Sequence, residues 1–198
     1  MSEKSYKKAG TYYFIGNIFN KGISFLTVPI FTRILSTADY GIVTTYNSWI
    51  GILSVIVGFA LHMSVRMAAV DYKDKLDDFM SSIILFVTLT SFGITAVVAS
   101  GIKLLHFDSN IVLVIICMLQ AYASATIEDY SNYLMMKYEY KARTALMILP
   151  NFISVVLSVY MIKYVLESDL YMGRIIPTAV VTIFFGLVTV CLLSLIHI

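Results

Sequence analysis

Six stretches of this chain are apolar for more than 20 residues, over 12–35, 40–65, 79–105, 111–133, 145–166 and 175–198. A helix needs about 20 mostly apolar residues to cross a hydrocarbon core roughly 30 Å thick. Each stretch meets that length. Together they leave only short loops and helix ends, with no room for a soluble catalytic or regulatory domain. Charged residues make up 13% of the chain, about half the roughly 25% of a soluble domain. That is too little polar material to cover a water-facing surface, which excludes a conventional soluble enzyme and any disordered or fibrous class. A net charge of +2 with no continuous basic patch argues against a nucleic-acid partner. The expected architecture is an all-α membrane protein of six transmembrane helices, with the lipid bilayer as its main solvent.

Basic residues set the expected orientation. Lys4, Lys7 and Lys8 precede the first span, Arg66, Lys73 and Lys75 follow the second, and Lys137, Lys141 and Arg143 follow the fourth. Arg33, Lys103, Lys163 and Arg174 lie on the other side, and Lys21 sits inside the first span. The first set is the larger, so that side is expected to be cytoplasmic, with both ends of this chain facing it. The acidic run Asp71, Asp74, Asp77 and Asp78 leaves this unchanged, because acidic residues contribute little to the rule. The N-terminal stretch reads as a retained helix. It is too long for a signal sequence, carries Asn17, Asn20 and Lys21, and is followed by no small-residue cleavage site.

Nothing in the sequence marks a reaction centre. Cys117 and Cys191 fall within apolar spans and read as small hydrophobes. His62, His106 and His197 are isolated. No spacing fits a metal site, no glycine loop would cradle a phosphate, and no cofactor is implied.

The spans are nevertheless not apolar all round. At about 100° per residue, Tyr13, Asn17, Asn20, Lys21, Ser24 and Thr27 fall on one side of the first span, opposite Ile15, Phe19, Leu26 and Ile30. A lysine facing lipid at mid-membrane costs about 2.5–3.5 kcal/mol on insertion scales, so this side is expected to face other helices or a wet cavity. Asn17 and Asn20 either join helices by hydrogen bonds or bind a polar ligand. Lys21 cannot accept a hydrogen bond and has no carboxylate at comparable depth in a span, so a hydrated, anion-attracting cavity is expected around it. On the second span, Thr44, Asn47, Gly51, Ser54, Gly58 and His62 share a face suited to close helix packing. Tyr46 and Trp49 read as an interfacial aromatic belt. Gln120, Ser124 and Glu128 align on the fourth span. Glu128 and Asp129 are either solvated interface residues or a site coupling transport to an ion. Asn151, Ser154 and Ser158 make a stripe on the fifth span, and Thr178, Thr182, Gly186 and Thr189 one on the sixth. Pro29, Pro150 and Pro177 can each kink a membrane helix. These features favour a transporter over an enzyme or a passive anchor.

The run Phe31-Thr32-Arg33-Ile34-Leu35-Ser36-Thr37-Ala38-Asp39-Tyr40-Gly41, after Pro29 and before an apolar span, resembles the outer turn between the first two helices of bacterial polysaccharide flippases (the Wzx type). These belong to the superfamily that includes multidrug and toxin extruders and the lipid II flippase. Tyr46-Asn47-Ser48-Trp49 through Arg66, the stretch 71–82, and Tyr138-Glu139-Tyr140-Lys141-Ala142 are similar too, so the resemblance covers nearly the whole chain. Ser36 departs from it, since many relatives have glycine there.

The resemblance implies a flippase that moves an undecaprenyl-diphosphate-linked oligosaccharide across the bacterial cytoplasmic membrane, for capsule, O-antigen or a related polymer. It implies alternating access between two helical bundles around a cationic cavity. Polysaccharide polymerase and glycosyltransferases are the associated partners. Lys21 would meet the diphosphate or an acidic sugar, with Asn17, Asn20 and Ser24 lining the same cavity face. Arg33 and Arg66, which flank the membrane ends, are either interfacial anchors or loop-ordering residues, or else ligands. Members of this family have about twice as many helices, so residues 1–198 are expected to form one bundle, the N-terminal six-helix lobe, of a chain cut before its second. The rival readings are a multidrug extruder, which an acidic cavity would favour and Lys21 opposes; a lipid-phosphate transferase, for which only Asp71, Asp74, Asp77 and Asp78 could serve; and a half-sized transporter working as a homodimer.

Overall fold

The structure, a computed structural model, describes residues 3–72, 75–104 and 111–196. Lys73, Asp74, His106 and His197, singled out above, lie outside the described residues. The described chain is all-α. Its helices are α1 (Glu3–Ile34), α2 (Thr37–Gly58), α3 (His62–Asp71), α4 (Leu76–Leu104), α5 (Ile111–Met136), α6 (Tyr140–Tyr164) and α7 (Met172–Ile196). Six segments are long and apolar enough to cross a membrane, with α2 and α3 together counting as one. Large apolar side chains such as Phe14, Phe25, Leu89 and Phe184 stand exposed, as lipid-facing groups do.

The second expected span, 40–65, is not one helix. It breaks after Gly58, where Phe59 and Ala60 take φ of 49° and 51°. Left-handed backbone at a non-glycine residue costs roughly 1–2 kcal/mol, and no proline or glycine occupies these two positions to announce the break. The three prolines, by contrast, all lie inside continuous helices. The first helix begins nine residues before the expected 12, at Glu3, because the polar start can continue the helix outside the lipid.

The turn after α1 has a local cause. Ser36 is the N-cap of α2: the Asp39 N–H donates to Ser36 Oγ (3.1 Å), and Ser36 Oγ donates to the Asp39 carboxylate (2.6 Å). Serine is among the residues preferred at this position, and glycine is accepted there too.

The chain divides into two compact units: Met1–Thr45 with Leu134–Val181, and Tyr46–Tyr133 with Thr182–Ile198. In the first, α1 and α6 run parallel. Tyr12 meets Tyr140 (ring centroids 4.8 Å apart), the Arg143 guanidinium lies 4.5 Å over Tyr13, and Asn20 bonds Asn151 further along both helices. Gly16 allows this approach, since a Cβ there would lie 2.9 Å from Thr144 Cγ2. In the second unit, α4 and α5 run antiparallel, tied by Tyr133 Oη donating to Asp77 (2.8 Å) and by the Thr88–Tyr122 hydroxyl pair (2.8 Å). These directions are those of helices that alternate across a bilayer. Ala121, Ala123, Ala125 and Thr126 are buried on α5, and their small side chains admit close neighbours.

Candidate functional site

The polar face of α1 is divided by the tertiary structure. Asn20, half-buried, accepts a hydrogen bond from Asn151 Nδ2 (2.6 Å), so it joins helices. Asn17, Lys21 and Ser24 stand exposed. Ser24 Oγ donates to the Asn20 carbonyl (3.0 Å), while no hydrogen bond or ion pair ties Asn17 or Lys21 to another described residue. Spaced four residues apart, these two present an amide and a cation one turn from each other on a surface that internal packing leaves free.

The stripes on α6 and α7 serve packing. Ser154 and Ser158 are buried, and each hydroxyl donates to a carbonyl one turn back: Asn151 (2.9 Å) and Ser154 (2.6 Å). Thr178 and Thr189 do the same to Arg174 and Gly186. Such back-bonding satisfies a hydroxyl without water. At the start of α7, Arg174 donates to Ser158 Oγ (3.2 Å) and lies 4.6 Å over the Phe31 ring. Counted from sequence as a loop cation, Arg174 is half-buried and fastens α7 to α6 and to the end of α1. Its nearness to the polar stripe of the fifth span is visible only in the fold.

In the second unit the two aromatics expected to form an interfacial belt differ in burial. Trp49 is exposed, but Tyr46 is 7% exposed and donates to Gln120 Oε1 (2.9 Å). Asp77, at the start of α4, likewise accepts a hydrogen bond from Tyr133. Of the small-residue face on the second span, Gly58 packs against Ala125, whereas Gly51 has open space around it.

The carboxylates of the fourth span separate in character. The Glu128 side chain is 57% exposed and lies 3.7 Å from His62 Nε2. Its neighbour Asp129 is only 2% exposed, and its Oδ2 is buried with no hydrogen-bond partner; the solvated reading therefore fits Glu128 and fails for Asp129. One turn further, Arg66 Nε donates to Asn132 Oδ1 (2.9 Å), and Asn132 Nδ2 donates to the Glu128 carbonyl (2.9 Å). His62, Glu128, Asp129, Ser54, Gly58 and Ala60 line one small pocket at the break between α2 and α3. A larger groove of about 430 Å³ lies between α4 and α7, but its lining, from Ser81 to Thr88 and from Val190 to Ser194, carries no charged group. Arg33 stands exposed at the last turn of α1. Cys117 and Cys191 are free thiols. Among the described residues, no group of three or more His, Cys, Asp or Glu side chains is arranged to hold a metal ion.

Comparison with known proteins agrees with this architecture. No curated protein and no solved structure matches the chain. The model of one family matches residues 6–198, nearly the whole length, and its description is polysaccharide biosynthesis protein. The match runs through α1, the capped turn and every later helix, so this multi-pass α-helical chain belongs to the polysaccharide biosynthesis protein family.

Proposed function

We propose that the chain is the N-terminal lobe of a flippase that carries an undecaprenyl-diphosphate-linked oligosaccharide across the bacterial cytoplasmic membrane. The observation that carries this reading is the face of α1. Lys21 is a cation in the middle of a membrane helix, exposed, with no partner among the described residues. Such a charge is costly against lipid, and a diphosphate or acidic sugar is a suitable counter-charge. Asn17 and Ser24 sit one turn either side and suit sugar hydroxyls. Asn20 contributes its remaining amide hydrogens while Asn151 holds its oxygen. Membership of a polysaccharide biosynthesis family supports a saccharide cargo.

In this reading the protein transports and does not catalyse. The basic ends carrying Lys8, Lys75 and Lys141 face the cytoplasm, Arg33 anchors the outer interface, and Arg66 stays tied to Asn132. A second lobe supplies the opposite wall of the cavity, and the two expose the site to each leaflet in turn. Glycosyltransferases make the cargo and a polymerase consumes it.

The test is complementation of a strain lacking its flippase. In the full-length protein, Lys21→Ala is expected to abolish most polymer export at unchanged membrane abundance. Lys21→Arg keeps the charge and is expected to retain more. Export by the alanine variant equal to wild type refutes the assignment.

A further inference from the structure

The break in the second span and the orphaned carboxyl on α5 belong to one place. Asp129 lines the pocket together with Gly58 and Ala60 from the broken segment and His62 from the first turn of α3. Its Oδ2 is fully enclosed, yet it has no hydrogen-bond partner among the described residues. Among the described residues, the charged and titratable groups around it are few. His62 and Arg66 come from α3, and Glu128 is on its own helix. Arg66, the one permanent cation among them, gives its Nε to Asn132 one turn away. Ser54 donates its hydroxyl to the Gly51 carbonyl. A carboxylate here would pay a large desolvation penalty with nothing to offset it.

We infer that Asp129 is a proton-binding carboxyl, loaded and unloaded through the His62–Glu128 pair at the mouth of the α2–α3 pocket. Glu128 is exposed and meets His62 at 3.7 Å. A proton reaching Glu128 passes to His62 Nε2. Turning of the imidazolium within the pocket it shares with Asp129 brings its other N–H to the carboxylate, which takes that proton, returning His62 to neutral imidazole and leaving a neutral carboxyl. Unloading runs the same steps backwards, so one proton is carried and none is created. A proton suits the site better than a metal ion, because His62, Glu128 and Asp129 line one pocket without being arranged, among the described residues, as a group that could hold a metal. Intramembrane carboxyls of this kind mark proton relays. Ala60, which with Phe59 is held in the left-handed region, lines the same pocket as the carboxyl, so this strained step is the element a change of its charge would move.

That this proton drives substrate movement rests on the flippase reading; proton binding by Asp129 does not. The test therefore contains no lipid-linked saccharide. The full-length protein is reconstituted in lipid nanodiscs, and infrared difference spectra are recorded as the buffer is stepped between acidic and alkaline. The expected result is a carbonyl band of a protonated, dehydrated carboxyl. It should vanish in Asp129→Asn, shift in frequency in Asp129→Glu and persist in Glu128→Gln. His62→Gln should keep the band but slow its exchange with the buffer severalfold. A wild type without the band at every pH, or a band that survives unchanged in both Asp129 variants, overturns the proposal. Loss of the band on adding sodium at fixed pH overturns it in favour of a metal-cation site. Unaltered exchange in His62→Gln removes the relay.

Discussion

Two glycine-to-alanine substitutions in the second unit are expected to shift stability in opposite directions. A Cβ at Gly186 on α7 would lie 2.6 Å from Ala123 Cβ and 2.8 Å from Ala123 Cα on α5. Carbon atoms rest at about 3.5–4.0 Å, so the shortfall is close to ~1 Å. The atoms it meets are a backbone carbon and a Cβ, neither of which can rotate away. The two helices must separate, and overpacking of this kind costs about 1–3 kcal/mol. Alanine returns roughly 0.5–1 kcal/mol through its better helix propensity, leaving Gly186→Ala destabilised by up to about 2.5 kcal/mol. Gly51 on α2 has nothing within 4 Å of the same added atom. Gly51→Ala keeps only the gain, so it is expected to be stabilised by about 0.5–1 kcal/mol. Thermal unfolding of the purified proteins in one detergent, followed by far-ultraviolet circular dichroism, reads both. The packing argument fails if Gly186→Ala unfolds at or above the wild-type temperature, or if Gly51→Ala falls as far as Gly186→Ala.

Two further outcomes follow from the contacts and a third from the distribution of basic residues. Ser36→Ala should lower stability by about 1 kcal/mol through loss of the cap, and Ser36→Gly by only a few tenths; equal losses in the same unfolding assay would show that the serine hydroxyl does not cap α2. Tyr46→Phe leaves the buried Gln120 without its phenol partner and should cost about 1–3 kcal/mol, while adding Gln120→Leu should recover part of the loss; a Tyr46→Phe protein as stable as wild type would deny the bond its role. With Cys117 and Cys191 replaced, cysteines at Lys75 and Lys141 should resist an impermeant thiol reagent in intact cells and one at Ser109 should react. Labelling at Lys75 but not at Ser109 would invert the proposed orientation.

The spans and the alternating run of their helices are legible without coordinates, because crossing a bilayer depends on apolar length alone and each stretch meets it independently of its neighbours. The Ser36–Asp39 cap is local in the same sense, since its partners are three residues apart. Polar faces can also be read from the 3.6-residue period, though not what each face meets. Asn20 and Asn17 share one stripe, yet only Asn20 finds Asn151, 131 positions later in the chain. Tyr46 looks interfacial by type and position until Gln120 comes within 2.9 Å of its hydroxyl. Glu128 and Asp129 are adjacent carboxylates with the same sequence surroundings. About 100° of helix rotation turns one toward the surface beside His62 and buries the other at 2% exposure. The left-handed step at Phe59 and Ala60 has no marker of its own, because neither residue prefers that conformation and only surrounding contacts can hold it there. Apolar length and local hydrogen bonding are properties of a segment, and the sequence determined those. Burial, partnership and strain are properties of a segment among its neighbours, and they take shape once the helices pack against one another.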